Sequence, residues 1–280
     1  MVGKRKKRRV RKRQPSLPLN SLNGLILVMK PSRIFWFLFF AVLSAFPLKA
    51  EEILFQDDFS GDLSRWVVEQ TPSGKTQVIG GQLDIDDAPG AKDKGGCTVW
   101  FKEKISGPVR ITYEATMVQK GGPNDRISDL NCFWMASDPK NPEDLFVGSK
   151  ERSGSFKKYD PLRTYYVGYG ANENVTTRFR RYPRPRDDKA LKPEYDLSDA
   201  KFMNVPNKTL KIELVADGKN IQFLRDGEVI FTFEDPEPLR EGWFGFRTTR
   251  SHICFDNFKV TRIPAQGEKN ENNHTRYPSY

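Results

Sequence analysis

An all-β fold, a sandwich or barrel of short strands, is what this sequence predicts, and three observations carry the prediction. Past residue 50 the apolar residues come in short runs rich in Val, Ile, Phe, Tyr, Trp and Thr, the composition of pleated, half-buried strands. Gly, Asn, Asp and Pro separate the runs, and no stretch repeats convincingly at the helical period. Two Asp-Gly pairs, Asp217-Gly218 and Asp226-Gly227, sit between apolar runs, where a tight hairpin needs the positive φ that glycine tolerates.

In chain order the expected strands begin with Ile53–Phe59, Trp66–Gln70, Thr76–Ile79 and Gln82–Ile85. Thr98–Ile105, Val109–Val118 and Leu130–Ser137 follow, then a Tyr- and Arg-rich pair at Tyr165–Tyr169 and Thr176–Tyr182. Thr209–Asp217, Asn220–Arg225 and Glu228–Glu234 form a meander through the two Asp-Gly turns, and Trp243–Thr248 and Ile253–Arg262 close the domain. Two polar stretches, Asp138–Arg163 and Pro183–Lys208, exceed the ~12–15 residues at which a loop tends to be functional or mobile. They flank the Tyr/Arg pair and are candidate walls of a binding cleft.

Charge is unevenly spread. The 280 residues hold 46 Lys+Arg against 36 Asp+Glu, a net of +10, yet residues 1–50 contain twelve of the bases and no acid. Residues 51–280 are left with 34 bases against 36 acids, a net of −2. A basic field for nucleic acid is therefore excluded for the main body, and no nucleic-acid partner is expected. Aromatic content of 12% is too high for a disordered chain, and three cysteines are too few for a disulfide scaffold. Free buried thiols are expected for Cys97, Cys132 and Cys254, with a single disulfide as the alternative.

Ile34–Phe46 is an apolar run of 13 residues behind Lys30 and Arg33. That suits a signal-peptide core of about 7–15 residues better than a membrane span of roughly 20. The expected organisation is a basic extension at 1–28 ahead of a true start at Met29, a signal peptide at 29–50 cleaved after Ala50, a domain at 51–263 and a disordered polar tail at 264–280. The mature protein is expected to be secreted or periplasmic, meeting a membrane only through the N-terminal signal segment; anchoring by an uncleaved segment is the alternative.

Phe55-Gln56-Asp57-Asp58-Phe59 with Leu63 and Trp66, the meander, and Trp243-Phe244-Gly245-Phe246-Arg247-Thr248 with Phe255-Asp256-Asn257-Phe258 resemble the concanavalin A-like lectin/glucanase superfamily. The resemblance covers roughly residues 51–263 and implies a jelly-roll sandwich of two curved antiparallel sheets. Tyr165-Tyr166-Val167-Gly168-Tyr169-Gly170-Ala171-Asn172-Glu173-Asn174, with Thr177-Arg178-Phe179-Arg180-Arg181-Tyr182, resembles a family of uncharacterised function among secreted proteins of polysaccharide-degrading bacteria. It implies a polysaccharide or oligosaccharide partner and supplies no catalytic residues. The Glu-x-Asp-x-x-Glu strand of the glucanases is absent, as are the Arg-x-Glu-x-Arg and Gln-x-His strands of the alginate lyases.

Strand alternation places Arg178, Arg180 and Tyr182 on one face. Guanidinium groups one pleat apart suit a uronate carboxylate or sulfate; pairing with acids such as Asp187 and Asp188 is the alternative. Tyr166 and Tyr169 are candidates to stack on a sugar or to pack, and Asn172 and Asn174 to bond hydroxyls or shape a turn. Trp134, Trp243 and Arg247 would complete a platform behind which Phe244 and Phe246 fill the core, unless either tryptophan fills the core itself. A polysaccharide lyase would use Arg178 or Arg180 to neutralise the carboxylate, with Tyr166, Tyr169, Tyr182 or His252 exchanging protons. A hydrolase would need paired carboxylates, for which Asp129, Glu143, Glu173, Asp187 and Glu194 show no diagnostic spacing. A non-catalytic carbohydrate-binding or cell-envelope module is the alternative to both. Without HExxH, a His cluster or Cys/His spacing, no catalytic metal and no cofactor is expected; a structural Ca²⁺ between the first and last strands would draw on Asp57 or Asp58 and Asp256.

Overall fold

The computed structural model describes residues 51–88, 95–183 and 189–264. The expected leader segments, the tail beyond 264, and Asp187 and Asp188 lie outside the described residues. Among those described, the strands are β1 (Ile53–Asp57), β2 (Trp66–Gln70), β3 (Lys75–Ile79), β4 (Gln82–Asp86), β5 (Cys97–Phe101), β6 (Ile105–Ser106), β7 (Val109–Met117) and β8 (Leu130–Ser137). They continue as β9 (Arg163–Gly170), β10 (Thr176–Tyr182), β11 (Asp196–Leu197), β12 (Thr209–Ala216), β13 (Asn220–Arg225), β14 (Glu228–Glu234), β15 (Glu241–Thr248) and β16 (His252–Arg262). No helix among the described residues is long and apolar enough to cross a membrane.

Two antiparallel sheets result. Sheet I runs β14-β13-β12-β7-β16-β4-β3 with β1 beside β16, and sheet II runs β11-β10-β9-β8-β15-β5-β2 with β6 beside β15. The expected strands are all present, with two departures. The first strand stops at Asp57 because Phe59 takes φ of 52°, and the Thr98–Ile105 run breaks into β5 and β6. Asp226 and Gly227 both take positive φ, 52° and 81°, in the two-residue turn between β13 and β14, as a hairpin matched to strand twist requires.

The core lies between the sheets. Along β7 the residues alternate buried and half-buried, with Val109, Ile111, Tyr113, Ala115 and Met117 facing inward. Phe246 of sheet II stacks on Phe255 of sheet I at 4.2 Å, with Tyr113 edge-on at 5.0 Å. Each such side chain contributes about 1.5–3 kcal/mol by leaving water. Cys97, Cys132 and Cys254 are all free.

A polar tie crosses between the sheets at one edge. Asp235, just past β14, accepts from the Tyr165 hydroxyl of β9 at 2.6 Å, from Arg181 Nε of β10 at 2.7 Å, and from the Glu237 amide at 2.9 Å. Burial alone would raise the Asp235 pKa, but these hydrogen bonds outweigh it and hold the carboxyl below its ordinary value. The resulting stabilisation is present above the unfolded carboxyl pKa of about 3.9 and is lost as pH falls through the lower folded value. Asp235→Asn should therefore cost about 1.5–3 kcal/mol at neutral pH and shrink the loss of stability on acidification. Denaturant titrations across pH check this; a variant losing stability in acid as steeply as the parent would contradict it.

Candidate functional site

Alternation along β8–β10 divides the Tyr/Arg region between two faces. Cys132, Trp134, Tyr165, Val167, Tyr169 and Phe179 join the inter-sheet core, whereas Phe133, Tyr166 and Tyr182 belong to a second apolar cluster on the outer face of sheet II. Cross-strand register on that outer face lines up Asp196, Arg178, Gly168, Asn131, Arg247, Thr98 and Glu69. The neighbouring row is Arg180, Tyr166, Phe133, Gly245, Trp100 and Val67.

The second row is an aromatic floor. Trp100 stacks on Phe133 at 5.4 Å, and Phe133 meets Tyr166 at 4.7 Å. Gly245 makes this possible, since a Cβ there would lie 2.6 Å from the Trp100 ring. Over the floor lies the segment 138–162, which forms short helical turns at Leu145–Gly148, Ser149–Arg152 and Phe156–Tyr159 and buries Leu145, Tyr159 and Leu162 against it. The polar stretch expected to wall a cleft is instead a roof. Its burial shows in β5, β8, β9 and β15, whose residues are nearly all buried on both faces.

Glu69 at the end of the first row pins the roof. Arg152 Nη2 donates to its Oε1 at 2.6 Å, Arg152 Nε lies 3.1 Å from both oxygens, and the Tyr159 hydroxyl donates to Oε2 at 2.6 Å. Both charged side chains are almost wholly out of solvent, at 0% exposure for Glu69 and 5% for Arg152. Beside them Gly154 and Gly96 meet backbone to backbone: a Cβ on Gly154 would lie 2.1 Å from the Gly96 carbonyl oxygen. Arg247 lies beneath this contact, donating to Thr98 Oγ1 at 2.9 Å and to the Gly154 carbonyl at 3.0 Å, with the Phe156 and Tyr159 rings at 4.8 and 5.0 Å.

Between the roof and the Arg178 edge the first row forms a polar strip. Asn131 Oδ1 and Arg247 Nε are buried and without a hydrogen-bond partner among the described residues, although these two residues sit opposite each other on β8 and β15. Gly168 adds no side chain next to them; a Cβ there would come within 3.6 Å of Asn131 Oδ1. Arg178, with 23% of its side chain exposed, donates through Nε to Asp196 at 2.6 Å. Arg180 lies 5.7 Å above the Tyr166 ring and donates to the Lys189 carbonyl at 3.3 Å. The outer face of sheet I holds a groove of about 920 Å³, lined by Asp57, Arg65, Glu114, Lys211 and Asp226 among others. Its two aromatic lining residues, Tyr113 and Phe258, point into the core, so it lacks the ring platform that sheet II has.

Several expected site residues are placed elsewhere. Trp134 packs in the core at 5.5 Å from Tyr165 and 5.9 Å from Phe179, because Phe133 takes the outward position. Tyr169 also faces the core, stacked on Phe223 at 5.7 Å, its hydroxyl accepting from Arg225 Nη1 at 2.6 Å. Asn172 and Asn174 have φ of 54° and 62° and shape the turn after β9: Asn172 bonds Thr176, and Asn174 bonds Asn204 in both directions. His252 is on the outer face of sheet I, away from the arginines, bonded to Asp84 and Asp125. Tyr182, Trp243 and Arg247 are on the expected outer face but covered; Trp243 Nε1 donates to the Lys102 carbonyl at 3.1 Å. Asp129 and Glu173 are both held by Arg126. The carboxylates suggested for Ca²⁺ are engaged locally, Asp57 with the Phe59 amide and Trp66 indole, Asp58 with the Ser60 amide, and Asp256 with the Asn257 amide. Sequence reasoning missed Glu69, Asn131, Arg152 and Tyr159. An acid inside the otherwise apolar Trp66–Val68 neighbourhood was the only signal any of them offered.

A family model described as a domain of unknown function (DUF6250) matches residues 91–258. No curated protein matches the sequence significantly. Among solved structures the chain is similar to a Bacillus subtilis protein of unknown function with a galectin-like fold, at 17% identity and a TM-score of 0.57 over 75% of this chain and 96% of that one. A laminarinase from Flavobacterium sp. UMI-01 gives 10% identity and 0.49 over 75% and 100% of the two chains. The carbohydrate-binding module CBM66 from Bacillus subtilis gives 12% and 0.44 over 70% and 95%. The two-sheet sandwich and the first of these likenesses agree with the concanavalin A-like jelly roll expected from the sequence.

The roof makes a direct prediction. Glu69→Ala leaves Arg152 and the Tyr159 hydroxyl buried without their acceptor, and breaking a buried ion pair in this way costs about 3–5 kcal/mol. Urea unfolding of the variant measures the loss; a cost below about 1 kcal/mol, the range of exposed pairs, would contradict the arrangement.

Proposed function

Because this chain belongs to the DUF6250 family, whose description leaves its function open, we propose from the site itself that it is a secreted glycan-recognition protein that binds an acidic polysaccharide on the outer face of sheet II. The observation that carries this reading is the strip Arg178–Gly168–Asn131–Arg247. It sets a residue with an unpartnered buried amide oxygen opposite one with an unpartnered buried guanidinium N–H, next to a glycine that adds no side chain and a partly exposed arginine. Such groups favour a ligand rich in hydroxyl donors and acceptors, because a buried polar atom left unbonded costs about 1–3 kcal/mol. Arg178 keeps donors beyond the one that Asp196 engages, and a guanidinium fork pairs well with a carboxylate or sulfate. The signal-like segment 29–50 supports export.

Recognition fits this face better than β-elimination does. Burial pushes the Tyr166 and Tyr159 hydroxyls up, away from proton exchange near neutral pH, and Tyr169 and His252 are not on this face. Affinity electrophoresis in gels containing polygalacturonate, alginate, a sulfated galactan or a neutral glucan tests the proposal. Retardation is expected in at least one acidic polymer and not in the glucan. Asn131→Leu and Arg178→Ala should each weaken it by about tenfold, equivalent to about 1.4 kcal/mol. No retardation of the folded protein in any acidic polymer would overturn the proposal, and release of unsaturated uronate ends would replace recognition with lyase chemistry.

A further inference from the structure

The outer face of sheet I carries a side-chain cluster that the glycan reading does not use. His252 and Cys254 are two apart on β16 and share a face, and Asp84 on β4 is directly opposite Cys254. One donor atom from each, an imidazole nitrogen, a thiol sulfur and a carboxylate oxygen, lie within 4.8 Å of one another. Asp84 Oδ2 is 2.7 Å from His252 Nε2 and 3.4 Å from Cys254 Sγ. Donors around a tetrahedral zinc-sized ion, bound at about 2.0–2.3 Å, are separated by roughly 3.3–3.8 Å. The carboxylate and sulfur are already at that spacing, and the carboxylate and imidazole need to part by only about half an ångström.

The surroundings also suit a dication. The other imidazole nitrogen, His252 Nδ1, is 3.1 Å from Asp125 Oδ1, the carboxylate contact that orients a metal-binding histidine through its far nitrogen. Asp125 is itself fixed by the Gly122 amide at 2.9 Å, and Asp86, opposite His252, accepts from Asn124 at 2.7 Å. The site is reachable, with 22% of the His252 side chain and 11% of Asp84 exposed.

We propose that Asp84, His252 and Cys254 form a binding site for one zinc-class divalent cation, with Asp125 orienting His252 and the fourth coordination position open to water. Binding replaces the Cys254 S–H bond with a sulfur–metal bond and releases that proton to solvent. Sequence spacing could not show the site because its ligands come from two strands some 170 residues apart, and His252-Ile253-Cys254 matches no linear metal motif. The plain alternative is an Asp84–His252–Asp125 ion-pair chain beside an idle thiol.

Cobalt(II) titration of the full chain, read by absorption, separates the two. The proposal expects a thiolate-to-cobalt charge-transfer band saturating at one ion per chain and displaced by zinc. Cys254→Ser should abolish that band, and Asp125→Asn should weaken binding by about 10–100-fold while keeping it. Cys97 and Cys132 are fully buried in the core and should contribute nothing. No band in the parent protein, or a band that survives Cys254→Ser, would overturn the site.

Discussion

Glu69 is a carboxylate with no access to solvent, and much of the face that we assign to ligand binding depends on how it is satisfied. Three donors from the 138–162 segment, two on Arg152 and one on Tyr159, converge on it. A charge in that position is tolerable only when paired and fully hydrogen-bonded, so the roof and the sheet specify each other. Without the roof, Glu69 would share an open sheet face with Trp100, Phe133 and Tyr166. With it, those rings become a second small core, and the sandwich carries three layers across sheet II.

That layering changes what the outer face can do. A jelly-roll sheet with exposed aromatics would offer stacking surface along its length, whereas here the rings are consumed by Leu145, Phe156, Tyr159 and Leu162. What is left toward β10 is narrow and polar: Arg178 is partly exposed, while Asn131 and Arg247 farther along the same row are buried. The opposite side of the molecule is organised differently. Among the described residues no comparable segment covers sheet I, whose outward residues on β7 and β12 are polar or charged, with Arg110, Glu114, Lys211 and Glu213 among them, and the Asp84–His252–Cys254 cluster lies on it. The two sites share β15–β16 connectivity but face away from each other, which is why one histidine cannot serve the arginines.

Much of the scaffold was legible in the sequence, because local pattern determines it. The alternation of Val109–Met117 marks an inward and an outward face, the Asp-Gly pairs mark the meander, and Phe244 and Phe246 alternate against Trp243 and Arg247 as expected. Leu130–Ser137 behaves differently: both faces are buried, so its run of apolar residues has no parity, and nothing local says whether Phe133 or Trp134 faces the core. One residue of register reverses the roles of the two. Tyr166 and Tyr169 show the same ambiguity, divided by a strand that is covered on both sides. Glu69 and Arg152 are 83 residues apart, and Arg152 belongs to a stretch whose polarity reads as a loop. Pairings of that range leave no periodic trace.

Residues 145–162 form a packed layer of the domain rather than a loop over an open cleft. Amide hydrogen exchange, followed by mass spectrometry on peptides from this segment and from β8 and β9, tests it most directly. The roof amides should be protected on the timescale of the strands beneath them. Exchange of the roof at the rate of an open loop, with β8 and β9 still protected, would contradict it.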